Sequence, residues 1–172
     1  FYLDPSPIIS AIYQPDKMLV KMVLETAQIL STAHRVLDGD EYADTNNLYK
    51  KTHENHPCNV WVRESGINYI WLYHHFITLG FEYELRYKKT HKSIRELETP
   101  LQEVPSNMNN SMQMTPVALC MPDEYKCFDP VLSYRNYVIN TKDYAKWEKG
   151  RSKPVWWIKS EHGYGKEESY IQ

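Results

Sequence analysis

The chain has 172 residues, a formal charge of −2 and a pI near 6.4, enough for one domain with a sizeable core and short for two. That balance excludes binding carried by overall positive charge, so any contact with nucleic acid has to come from a local patch. Three cysteines without a CxxC pair exclude a disulfide-rich scaffold and point to a reducing, cytoplasmic setting.

Phe1-Tyr2-Leu3, ended by Asp4-Pro5 and Pro7, reads as a short strand or an extended arm, and residues 8–13 as one helical turn. The chain opens on Phe1 rather than Met, which leaves its native start open, and no stretch reads as a signal peptide. Residues 15–38, PDKMLVKMVLETAQILSTAHRVLD, carry the strongest helical signal. Lys17, Lys21, Glu25, Gln28, Thr32 and Arg35 recur every three or four positions and share one narrow stripe on an otherwise apolar surface. Gly39 suits the left-handed position that ends such a helix. Residues 40–55 are polar and read as a long surface connection.

Pro57 starts a second helical segment, broken at Ser65-Gly66. A third, long helix follows to about residue 89, with Ile67, Ile70, Trp71, His74, Ile77, Phe81, Leu85 and Lys88 on one ridge. Thr90 is expected to cap a fourth helix ending near residue 103. Residues 105–116 read as a loop, 117–121 as extended, 122–126 as a turn, and 130–147 as a fifth helix. The tail interleaves Lys142, Lys146, Lys149, Arg151, Lys153, Lys159 and Lys166 with Tyr144, Trp147, Trp156, Trp157 and Tyr164. No apolar run approaches the roughly 20 residues that span a bilayer, so no membrane role is expected. Together these elements predict an all-α fold. Residues 1–141 form a single compact multi-helix domain with long loops, and residues 142–172 a basic-aromatic extension packed on it.

The stripe is the first place for chemistry. Glu25 one turn from Lys21, with Arg35 beyond, suits acid–base or Schiff-base work if the groups are desolvated. The plain alternative is a solvated face with a weak Lys21–Glu25 pair. Gln28 and Thr32, polar but uncharged, favour a hydrogen-bonding pocket. His34 stands at a helix C-terminus, where the dipole favours it. His53, His56 and Cys58 are metal-ligand types at a spacing that matches no standard zinc site, so no metal and no cofactor is expected. His56 at a helix start, with Arg63 two turns on, suits an anion. Trp71 reads as core and Asn68 as a buried hydrogen-bonding residue. Lys126 and Arg135, with Tyr134 and Tyr137, make a further polar and aromatic group. The tail suits phosphates and stacked bases. Walker, GxGxxG, GxSxG, HExxH and EF-hand patterns are absent, so kinases, dinucleotide oxidoreductases, serine hydrolases and zincins lack support.

The segments DKMLVKMVLETAQILSTAHR, THENHPCNVWVRES and MPDEYK with DPVLSYRNY resemble small helical proteins of bacteriophages. The stretch NHPCNVWVRESGINYIWLYHHFITLGFEY resembles the pyrimidine-dimer DNA glycosylases of the phage endonuclease V type. That resemblance implies an all-α enzyme that kinks DNA and cleaves a glycosidic bond through an imine. It further implies an N-terminal amine as nucleophile and a glutamate on an early helix, here Glu25, beside cationic partners. Lys17 and Lys21 stand where the family's arginines are expected, which puts the lyase step outside what the resemblance supports.

The leading expectation is an enzyme of the DNA glycosylase type acting on a nucleic-acid base, DNA before other substrates, or on a nucleotide. Glu25 and Lys21 would be catalytic, and Lys17, Gln28, His34, Arg35, His56, Arg63, Asn68, Lys126 and Arg135 would bind substrate. Two alternatives stand beside it. One is a non-enzymatic protein that captures a host protein or nucleotide signal, and the other a metal-dependent nuclease using His34, His53 and His56. Oligomeric state is open.

Overall fold

The computed structural model describes residues 1–158, and Lys159, Tyr164 and Lys166 of the tail lie outside them. Among the described residues there are seven α-helices, one 3-10 turn and no strand: α1 Pro7–Ile12, α2 Asp16–Leu37, α3 Asp40–Thr45, α4 Pro57–Glu64, α5 Gly66–Tyr87, α6 Lys92–Gln102, the turn at Asp123–Tyr125, and α7 Pro130–Thr141. The all-α expectation holds. No helix among them is long and apolar enough to cross a membrane.

Two 22-residue helices, α2 and α5, each about 33 Å long, pack against one another, with α1 on α5, α4 against both, and α6 closing the far side. Leu19, Val23, Ala27 and Leu30 of α2 meet Tyr69, Phe76 and Leu79 of α5, Trp61 and Val62 of α4, and Leu97 and Leu101 of α6. A Cβ at Gly80 would overlap the end of the Ile94 side chain, so a larger residue there would require Ile94 to move. A second cluster joins Leu3, Met18, Met121, Tyr134 and Val138 to Trp147 and Trp157.

Local chemistry explains most helix ends. Ser6, Ser65 and Asp129 accept backbone N–H groups at the starts of α1, α5 and α7. Gly39, at φ 83°, sits just beyond α2 in the left-handed region. Three expectations need correction. His91, not Thr90, caps α6, its Nδ1 accepting the Ser93 N–H at 3.1 Å. The connection 40–55 contains α3, whose Asp40 and Asp44 both bond Arg35. The last helix stops at Thr141 rather than running to 147. On α5 the ridge that runs from Ile67 to Lys88 lies largely outside, with Ile70, His74, Phe81 and Leu85 exposed and Trp71 buried. The buried face carries Asn68, Tyr69, His75, Phe76, Leu79, Glu82 and Arg86. Its polar members are satisfied inside the fold, so the buried face is not the most apolar one.

Candidate active site

The N-terminal segment lies across α5 because its carbonyls have donors there. Trp71 Nε1 donates to Pro5 O at 2.7 Å, and His75 Nδ1 donates to Pro7 O at 2.9 Å. Ser10 Oγ and Gln14 Nε2 both donate to Phe1 O at 3.0 Å, fixing the first residue. On the other side, Asn68 Nδ2 donates to Trp61 O at 2.7 Å and to Thr115 Oγ1 at 2.6 Å, and its Oδ1 accepts the Thr115 N–H. Asn68 thus ties α4 and α5 to the chain that leads into residues 116–121. Tyr134 of α7 holds that segment by donating to Ala118 O at 2.6 Å and accepting from Cys120 N at 3.4 Å.

Between these supports is a cavity of about 250 Å³, close to the lower end of small-ligand pockets, about 300–1,000 Å³. Tyr2, Trp61, Trp71, His75 and Tyr134 give it aromatic walls, and among the described residues Glu25 is the one carboxylate on its lining. Trp71 stacks on His75 at 5.2 Å and 21°, and meets Tyr2 in a tilted contact at 5.0 Å and 32°. Glu25 reaches the cavity from α2 while its carboxylate pairs with Lys21 Nζ at 3.0 Å near the surface. The Phe1 nitrogen is buried against Met22 Sδ at 3.9 Å. Burial pushes that amine below its usual range, and Cys58, Glu25 and Cys120 nearby oppose the shift.

The thiols of Cys58 and Cys120 lie 2.9 Å apart on the same wall. Their mutual hydrogen bond lowers Cys120 to about 6 and raises Cys58. His75 is pushed down to about 3 by burial and then by the Phe1 amine, with the Pro7 carbonyl opposing. It therefore stays neutral at physiological pH.

His75 also makes an expected outcome in acid. Its folded pKa lies below the unfolded value of about 6.5, so below that pH the unfolded chain takes up a proton the fold refuses. This contribution is fully present above pH 6.5 and is lost as pH falls toward 3, at up to about 1.4 kcal/mol per pH unit. His75→Gln keeps a donor for Pro7 and is expected to flatten the fall in urea midpoint between about pH 6.5 and 5. An unchanged slope would remove His75 as its source.

The sequence-predicted residues divide by position. Glu25 lines the cavity, and so does His56, whose Nδ1 caps α4 by accepting the Cys58 N–H at 3.2 Å. Lys17 and Lys21 are exposed along α2, with Lys17 5.2 Å from the Tyr144 ring centroid, and Gln28 is half-buried. The stripe therefore runs from solvent into the core, where Thr32 and Arg35 are buried. Arg35 donates to Asp40, Asp44, Leu48 O and Tyr49 O. His34 bonds Tyr69 Oη and Glu103 O, away from the cavity lining. Arg63 donates to Glu54 O, and Lys126 pairs with Asp123. Arg135 donates to Leu3 O at 2.9 Å and lies over Trp156 at 5.2 Å. None of Arg35, Arg63, Asn68, Lys126 or Arg135 lines the cavity. Sequence reasoning did not single out Tyr2, Trp61, His75 or Cys120 for the site, and it grouped Tyr134 with Lys126 and Arg135 rather than with Glu25. Only Cys58, beside His56 in sequence, signals where the first thiol stands.

The model of the pyrimidine dimer DNA glycosylase family matches residues 1–95, more than half of the chain. The chain belongs to that family. The match takes in the N-terminal segment, Glu25, α4 and α5, but not Cys120 or Tyr134, which complete the cavity from beyond residue 95. DNA glycosylase-like activity and a DNA substrate follow from membership in general terms. No curated protein and no solved structure matches the chain.

Proposed function

We propose that this glycosylase-family chain cleaves the N-glycosidic bond of a damaged or modified base in duplex DNA, with Glu25 as the catalytic carboxylate. The observation that carries the reading is the position of Glu25, the single carboxylate among the described residues that line an aromatic cavity able to stack a planar base. In the step proposed, the C1′–N bond breaks and its electron pair leaves with the base, which takes up a proton. Positive charge develops on the sugar, and a nearby carboxylate stabilises such a cation. Water then bonds to C1′ and gives its proton to Glu25. Attack by a protein amine at C1′ instead would form a C–N bond as the base leaves, with Glu25 accepting the amine's proton, and opening of the C1′–O4′ bond with proton transfer to O4′ would then give an imine.

Exposed Lys21, paired with Glu25, and Lys142, whose Nζ lies 5.9 Å from the Phe1 ring centroid, border this region and suit phosphate contacts, and exposed Lys17 lies further along α2. The test is base release from duplexes carrying pyrimidine dimers or other damaged bases, read as abasic sites, together with duplex binding across a salt series. Release with binding that weakens as salt rises is the expected result. A protein inert on every damaged duplex and without affinity for DNA at low salt overturns the reading. Borohydride added during turnover separates the two routes, since a reduced covalent adduct forms only through an imine.

A further inference from the structure

The cavity wall also carries a group of side chains that base excision does not use. His56, Cys58 and Cys120 each present a metal-binding atom, and these atoms all lie within 4.8 Å of one another. Two come from the start of α4. The third comes from residues 116–121, which the Tyr134 hydroxyl holds in place from α7. Cys58 and Cys120 are partly buried and His56 is exposed, so the group is held by the fold and reachable from solvent.

We propose that His56, Cys58 and Cys120 bind a zinc ion, with its fourth position turned toward the cavity. Two thiolates and an imidazole match the sulfur and nitrogen ligands that zinc takes in tetrahedral sites. Three protein ligands leave a position for water or a bound molecule, the pattern of open zinc sites. Zinc–sulfur bonds of about 2.3 Å place two tetrahedral thiolates about 3.8 Å apart. The Cys58 and Cys120 sulfurs stand at 2.9 Å, so they part by about 0.9 Å, within reach of side-chain rotation.

His56 must give up its cap. Its Nδ1 accepts the Cys58 N–H, and binding zinc through either ring nitrogen occupies or protonates that acceptor. Zinc with two thiolates carries no net charge, so the start of α4 does not face a bare cation. Bound there, the ion would join α4 to residues 116–121 across the cavity. The site stands apart from the glycosylase reading, because zinc uptake needs neither Glu25 nor DNA.

The experiment uses reduced, metal-free protein without a polyhistidine tag, titrated with Zn²⁺ against a chromogenic chelator and with Co²⁺ as a spectroscopic stand-in. One equivalent of uptake and a thiolate-to-cobalt charge-transfer band are expected. Cys58→Ser and Cys120→Ser should each weaken binding by at least about tenfold. His56→Asn keeps a side-chain oxygen to cap α4, so it should weaken uptake with an unchanged far-UV circular dichroism spectrum. Alkylation of the wild type avoids reliance on variants that fold poorly: zinc should shield Cys58 and Cys120 while exposed Cys127 reacts as before. No saturable uptake, or uptake indifferent to both serine variants, overturns the site. So does a Cys58–Cys120 disulfide that forms in air despite excess zinc, each thiol losing one electron and one proton to oxygen.

Discussion

Glu25→Gln is expected to lower the rate of base release by about 10²–10⁴-fold and to leave the melting temperature almost unchanged. The amide keeps the size and polarity of the side chain but can neither accept the proton of an attacking nucleophile nor carry negative charge opposite a sugar cation. The fold contributes little to the change. Glu25 is 39% exposed in its side chain and its structural partner is Lys21, one turn away and 73% exposed. A surface pair of that kind is worth about 0.3–0.5 kcal/mol before screening. Activity and stability are therefore expected to separate, which a residue that merely supports the cavity would not allow. Lys21→Met distinguishes the two members of the pair. If Lys21 contacts a phosphate, its loss weakens DNA binding and reduces the salt slope by about one unit, with the rate at saturating DNA nearly intact. Wild-type base release by Glu25→Gln would remove the carboxylate from the mechanism.

How far this site was legible depends on whether its residues signal locally. Glu25 was legible because a carboxylate on a largely apolar helix stands out from its neighbours. The same signal picks out His34 and Arg35, which the fold places away from the cavity lining. A buried polar side chain looks alike in sequence whether it faces a cleft or bonds the backbone, and Arg35 here holds α3 and the chain at Leu48 and Tyr49. The six-residue helix α3 carries little local signal for the reciprocal reason, since DEYADT has one buried apolar residue, Ala43, and is held by the Arg35 guanidinium through Asp40 and Asp44. The helices themselves were readable from periodicity, capping residues and Gly39. Cys120 and Tyr134 could not be placed, because they reach the cavity only when α7 folds back on the N-terminal segment. Sequence spacing shows His56 beside Cys58 but not the thiol that faces them from 62 positions further on.

Arg86→Met is expected to destabilise the protein by about 3–5 kcal/mol, a large part of the roughly 5–15 kcal/mol that holds a domain folded. The Arg86 side chain is fully buried, and all five of its N–H donors are used. Nε and Nη2 donate to Glu82 Oε2 at 3.1 and 2.9 Å, Nη1 to Gln14 O at 2.7 Å and Asp16 Oδ1 at 3.0 Å, and Nη2 also to Ile12 O at 2.7 Å. Asp16 Oδ2 accepts the Glu148 N–H at 2.7 Å, and Arg151 pairs with Glu82 from the same side. One guanidinium thus fastens the end of α5 to the junction of α1 and α2 and to residues 148–151. Methionine fills much of the same volume, so the loss would come mainly from Glu82 and Asp16 left buried with less compensation, and from two unpaired carbonyls. The expected fall in melting temperature is about 6–20 °C. Arg86→Lys, which keeps the charge but not the planar fork, should fall between the two. Adding Asp16→Asn and Glu82→Gln to Arg86→Met should recover part of the loss, because the uncompensated charges go with it. A fall of less than about 2 °C in the single variant would mean that water or rearranged neighbours replace what Arg86 supplies. Below its melting transition the variant should still release bases, since Arg86 does not line the cavity.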